Sequence, residues 1–177
     1  MKHSAWTILA GALLFAAPSA AAQTTAPAGS GPEFLRHFDE SMSKFIALAE
    51  AMPTEKFNWS PGEGVMTVAR VYAHVARYNY LYPATSLGAK APDGRDEDAI
   101  EDLADKARIV TLLKESQAHV HGVVKGLAPS LAKETTLYGR QVGQWAVLLQ
   151  LVAHMNEHLG QSIAYARMNG VVPPWSR

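Results

Sequence analysis

The stretch Gln144 to Asn169 does most to limit the possible folds. Glycines flank it at Gly143 and Gly170, and no proline interrupts it. Along it Val147, Leu151, His154, His158, Gln161 and Tyr165 recur at steps of three and four. At about 100° per residue they share one sector of roughly 100° or less, as on an amphipathic helix facing a core. Gly170 suits a left-handed C-terminal cap, and Pro173-Pro174 closes the exit. A helix with such a face has to be covered by other elements.

Three further stretches supply the cover. The first runs from about Pro32 to Met52, with Phe34, Phe38, Met42, Phe45 and Leu48 on one stripe and Pro53 ending it. Phe57-Asn58-Trp59-Ser60-Pro61-Gly62 is a turn-rich connector whose two aromatics are placed to plug one end of the core. The second helix is expected from Met66 to Tyr82, stopping at Pro83. A Gly/Pro/Asp-rich loop, Leu87 to Asp98, leads to a third helix from Ala99 or Asp102 to Leu127. The acids Glu97, Asp98, Glu101 and Asp102 suit its positive end. The loop Ala128 to Gly143 holds one candidate extended piece, Thr135-Thr136-Leu137-Tyr138. Four long helices, no convincing alternating strand and no internal repeat predict an all-α fold, a four-helix bundle.

The first residues read as an address. A short basic start, the apolar run Ala5 to Ala17, and small residues at Ala20 and Ala22 predict a signal peptide over residues 1–22, cut before Gln23. The run is shorter than the ~20 residues that span a bilayer, which disfavours an uncleaved anchor. Gln23 to Gly31 is a Thr/Ala/Pro/Gly/Ser linker, leaving residues 32–175 as the bundle domain. The mature protein is expected to be periplasmic, with no membrane partner. Lys plus Arg and Asp plus Glu both count 16, and no basic run appears, so nucleic acid is not an expected partner. Cysteine is absent, which excludes disulfides, thiolate metal ligands and a cysteine nucleophile.

The chemistry lies with the histidines. His154 and His158, four apart on a core-facing stripe, are costly as neutral interior groups unless each finds a partner. A shared metal ion is one solution, and hydrogen-bonded interior rings are another. His74 stands on a second stripe, with Thr67, Val71, Tyr78 and Leu81, and offers a third nitrogen from another helix. Glu157 lies at the border of this face, a weak candidate for a catalytic base. Gln161 is placed one turn on, to hydrogen-bond a ligand or a metal-bound water. Tyr72, Tyr78 and Tyr165 are further possible donors, although packing explains each of them too. His119 and His121, two apart, point in nearly opposite directions, and His37 stands beside its stripe rather than on it.

His154-Met-Asn-Glu-His158-Leu-Gly160-Gln161, followed by Tyr165-Ala-Arg167-Met-Asn-Gly170 and Pro173-Pro174, resembles the last helix of the DinB/YfiT-like superfamily. Asn58-Trp59-Ser60-Pro61 before the His74 helix is similar to that family's second-helix region. The chain departs from the commoner pattern at Leu159, where a basic residue often precedes Gly-Gln. The resemblance implies an up-down-down-up bundle with a three-histidine site for zinc, nickel or a similar divalent metal ion. Its ligands map to His74, His154 and His158. It also implies a thiol co-substrate in some relatives, and frequent pairing into homodimers. His154-x-x-Glu157-His158 matches the H-x-x-E-H signature of inverted zinc proteases as well, but those need a downstream acidic ligand and no Asp or Glu follows His158.

Three neutral imidazoles would leave an ion's charge uncompensated and its coordination open, as in catalytic rather than structural zinc sites. Metal-dependent hydrolysis of a small-molecule substrate and transfer onto a thiol are the two enzymatic readings. A non-catalytic, stress-related metal-binding bundle is the alternative.

Overall fold

A computed structural model describes residues 30–92, 98–127 and 131–176. The expected signal peptide, its expected cleavage site and residues 23–29 of the expected linker lie outside the described residues. Four helices dominate: α1 Ser30–Ala51, α2 Val68–Ser86, α3 Lys106–Gly126 and α4 Gln144–Met168. None of the described helices is long and apolar enough to cross a membrane.

α1 begins inside the expected linker, at Ser30. Pro32 is no obstacle, because N–H groups in the first turn have no intrahelical acceptor to lose. α1 buries Phe34, Phe38, Met42, Phe45 and Leu48, the stripe read from the sequence. The connector carries Phe57 into the core and sets Trp59 edge-on to Tyr165, with ring centroids 5.4 Å apart.

Two expected boundaries are corrected. Pro83 does not end α2, which continues through Ser86. Pro83 lacks one N–H, yet Tyr82, Pro83 and Ser86 are all buried, and the Pro83 carbonyl accepts from Leu87 N at 2.9 Å and Ala89 N at 3.1 Å. Packing outweighs the missing bond. α3 starts later than Ala99 or Asp102, because Asp105 caps it by accepting from Arg108 N at 2.7 Å. Residues Asp98–Asp102 form a separate 3-10 turn that buries Ile100.

Cross-helix contacts fix the directions. Lys106, at the start of α3, donates to the carbonyls of Glu50 and Met52 at the end of α1, and His121 reaches back to Asp39, so α1 and α3 are antiparallel. Asn79 donates to Ser116 at 3.1 Å midway along both helices, and Leu87 and Ala89, just past α2, line one cavity with Gly126 and Leu127 at the end of α3, so α2 and α3 run the same way. Gln150 near the start of α4 donates to Tyr82 near the end of α2, so that pair is antiparallel. The bundle is therefore up-down-down-up.

The candidate extended piece is real, and it has a partner. β1 Glu134–Leu137 pairs antiparallel with β2 Arg140–Gly143. Tyr138 and Gly139 between them both have positive φ, 50° and 74°, as a type I′ turn requires. The hairpin feeds straight into α4. Gln144 N donates to Lys133 O and Trp145 N to Leu131 O, satisfying two first-turn donors that have no acceptor inside the helix. At the other end Gly170, φ 74°, donates to Arg167 O while Val171 donates to Ala166 O, the Schellman closure.

Candidate metal centre

α2 and α4 cross so that their histidine faces meet. His74, His154 and His158 each offer a ring nitrogen within 4.8 Å of the others, the one such group among the described residues. The rings form a compact triangle, with centroids 5.1 Å apart for His74 and His154, and 4.7 Å for each of the other two pairs. His154 is buried, and His74 and His158 are half-buried.

The outward nitrogens are tied down. His74 Nδ1 lies 2.8 Å from Glu101 Oε1, and His158 Nδ1 lies 2.8 Å from Gln161 Oε1. Both acceptors are oxygens, so the hydrogen-bond network assigns the ring protons to Nδ1 and leaves both Nε2 lone pairs free. Gln161 in turn donates from Nε2 to the Tyr165 hydroxyl at 2.9 Å. His74 Nε2 lies 3.1 Å from His154 Nε2. With the His74 proton on Nδ1, His154 bridges that gap either by donating its own Nε2–H or by sharing a cation through its Nε2 lone pair. Nitrogens bound to one zinc ion at about 2.0–2.1 Å stand roughly 3–3.5 Å apart, so the His74–His154 pair already has that spacing, and the His158 nitrogen lies within 4.8 Å of both.

Burial and neighbouring charges favour the neutral form of His74 and His154. Burial is the largest influence on His74, and with the His158 ring and Arg77 it outweighs the pull of Glu101 and holds the imidazole below the ordinary histidine range. Burial, then the neighbouring His158 and His74 rings, push His154 down to about 4. Glu101 remains ionised: burial pushes its carboxyl up, but the His74 bond and the Arg70 and Arg77 guanidiniums outweigh that and hold it below the usual range. Arg70 lies 3.3 Å from Glu101, and Arg77 spans Glu101 at 3.4 Å and Asp98 at 2.5 Å. A neutral imidazole backed by a carboxylate is a stronger ligand than one backed by water.

Glu101 is the residue that the sequence reading placed wrongly. It serves no helix dipole but holds a histidine from a separate turn. Four acids within six residues, more than a cap requires, were the available signal. Gln161 faces the outer side of His158 rather than the space between the rings. Glu157 is exposed. Tyr72 is buried against Phe45 and Phe57, and Tyr165 against Trp59, while Tyr78 packs on both His74 and His154. The other described histidines stay apart from the triad: His37 is exposed beside Glu33, His119 lies on Tyr80, and His121 binds Asp39 at 2.6 Å.

The model of the DinB superfamily matches residues 37–166, a span that contains all three histidines and Glu101. The chain belongs to the DinB superfamily. A crystal structure of a DinB-like protein from Bacillus cereus ATCC 10987 superposes with a TM-score of 0.72 at 16% identity, covering 81% of this chain and 95% of that one. At that identity the likeness speaks for the shared DinB fold. No curated protein matches the chain.

Proposed function

We propose that this DinB superfamily member holds one divalent metal ion, zinc, nickel or a similar one, between His74, His154 and His158. The proposed activity is hydrolysis of a small molecule or transfer onto a thiol. The observation that carries the reading is the 3.1 Å approach of two Nε2 atoms, with the protons of His74 and His158 held on the far side of their rings. A bound ion would supply Lewis acidity, lowering the pKa of water or accepting a thiolate. The chain's own contribution is orientation. Glu101 fixes His74, Gln161 fixes His158, and the Tyr78 ring packs on those of His74 and His154. Glu157, on the exposed face of α4, is the acid or base at the rim in this reading.

The reading extends to export with cleavage before Gln23, placing the site in the periplasm, and to a homodimer. These rest on the N-terminal sequence and on the family resemblance.

Cobalt substitution separates the catalytic reading from a storage role. The visible spectrum of the cobalt-loaded protein should change when azide or 2-mercaptoethanol is added, because a three-histidine site leaves positions open. A spectrum indifferent to both would favour the non-catalytic bundle.

A further inference from the structure

The histidine triangle shares a wall with a cleft. It measures about 270 Å³ and lies between the C-terminal half of α2, with Tyr78, Leu81 and Tyr82, and the hairpin, with Thr136, Leu137 and Tyr138. Among the described residues lining it, every one is Tyr, Leu, Thr or Ser. Tyr78 and Tyr82 follow His74 by one and two turns on the same helix face. The Tyr78 ring lies 4.5 Å from the His74 ring and 4.4 Å from that of His154, and the Tyr82 ring lies 5.7 Å from His154.

The outer wall is Tyr138, and its backbone is the second observation. A type I′ turn favours Asn, Asp or Gly where φ is positive, because a bulky side chain there is strained. This chain instead has Tyr138 at φ 50°, 69% exposed. Its hydroxyl meets that of Tyr82, which also accepts from Gln150 at 3.3 Å. Thr135 Oγ1 bonds the Ser86 carbonyl and fastens the hairpin to α2. The exposed ring, carried on a backbone conformation that disfavours it, is thus held at the rim of the cleft by a polar contact, over a floor of tyrosines.

We infer that this cleft receives a neutral aryl group of the small molecule whose donor atom meets the histidine centre. The inference rests on the metal-binding reading above. A charged group would lose its hydration against a wall that offers it no counter-ion. Tyrosine rings offer edges and faces to another ring. An apolar cavity of about 150 Å³ already takes up benzene, so the volume suits one ring with a substituent.

The test uses the zinc-loaded full mature chain and two probes that share a metal-binding head, benzohydroxamate and acetohydroxamate. Titration calorimetry should show the ring-bearing probe binding at least about tenfold tighter, from the apolar area it buries. Tyr138→Ala, and separately Thr136→Trp, should cut that preference below about threefold, with zinc affinity unchanged as proof that the fold is intact. Equal affinities of the two probes for the wild type would overturn the aryl cleft and leave the metal site standing. A preference that persists in both variants would overturn it too. A wild-type chain that takes up no zinc, or takes it up and binds neither probe, would remove the reading beneath it.

Discussion

Replacing Glu101 should loosen the proposed metal ion without unfolding the protein. The carboxylate accepts the His74 ring proton at 2.8 Å, a charge-assisted bond of about 1.5–3 kcal/mol. Hydrogen-bond partners behind a ligand are typically worth about 10–100-fold in metal affinity, which is the same range of energy. Glu101→Gln keeps an acceptor but loses the charge, and should weaken zinc binding by about tenfold. Glu101→Ala also frees the ring to rotate, and should cost nearer a hundredfold. The fold should survive, because Arg77 retains Asp98 at 2.5 Å. Arg70 is the control: its side chain is 56% exposed and its contact with Glu101 is 3.3 Å, so Arg70→Ala should change affinity by less than about threefold. Competition against a chromogenic chelator gives each dissociation constant. Glu101→Ala within twofold of the wild type would refute the orienting role. So would an equal loss in Arg70→Ala, which would point to bulk charge instead.

Two further outcomes follow. His154 is held at about 4 in the folded state, against roughly 6.5 unfolded, so its contribution is fully present above pH 6.5 and is lost as pH falls toward 4. The metal-free protein should lose up to about 3 kcal/mol through this group between pH 7.5 and 4.5, and urea midpoints of His154→Asn should fall less over that interval. Asp105→Ala should destabilise by about 1 kcal/mol in urea melts while Asp102→Ala stays within about 0.5, and the reverse order would contradict the observed start of α3.

The bundle was legible wherever apolar residues recur at helical spacing. The stripes of α1 and α4, and the capping role of Gly170, follow from local pattern alone, and the fixed i, i+4 geometry put His154 and His158 on one face. Boundaries were read less well where tertiary packing competes with a local rule. Pro83 stays helical because its surroundings are buried, and Asp105 caps α3 although acids stand several residues earlier. Glu101 could not be read at all from periodicity. It reaches His74 across 27 residues from a separate 3-10 turn that buries Ile100. The hairpin partner Arg140–Gly143 was equally hidden, since it is four residues long and its exposure does not alternate along the strand.

The central claim is that one ion sits between three named rings, and metal analysis of untagged protein tests it most directly. Wild-type chain, and a variant with His119 and His121 both changed to Ala, should each hold close to one equivalent of divalent metal. The variant with His74, His154 and His158 all replaced by Ala should hold none. Stoichiometric metal in that triple variant would contradict the account.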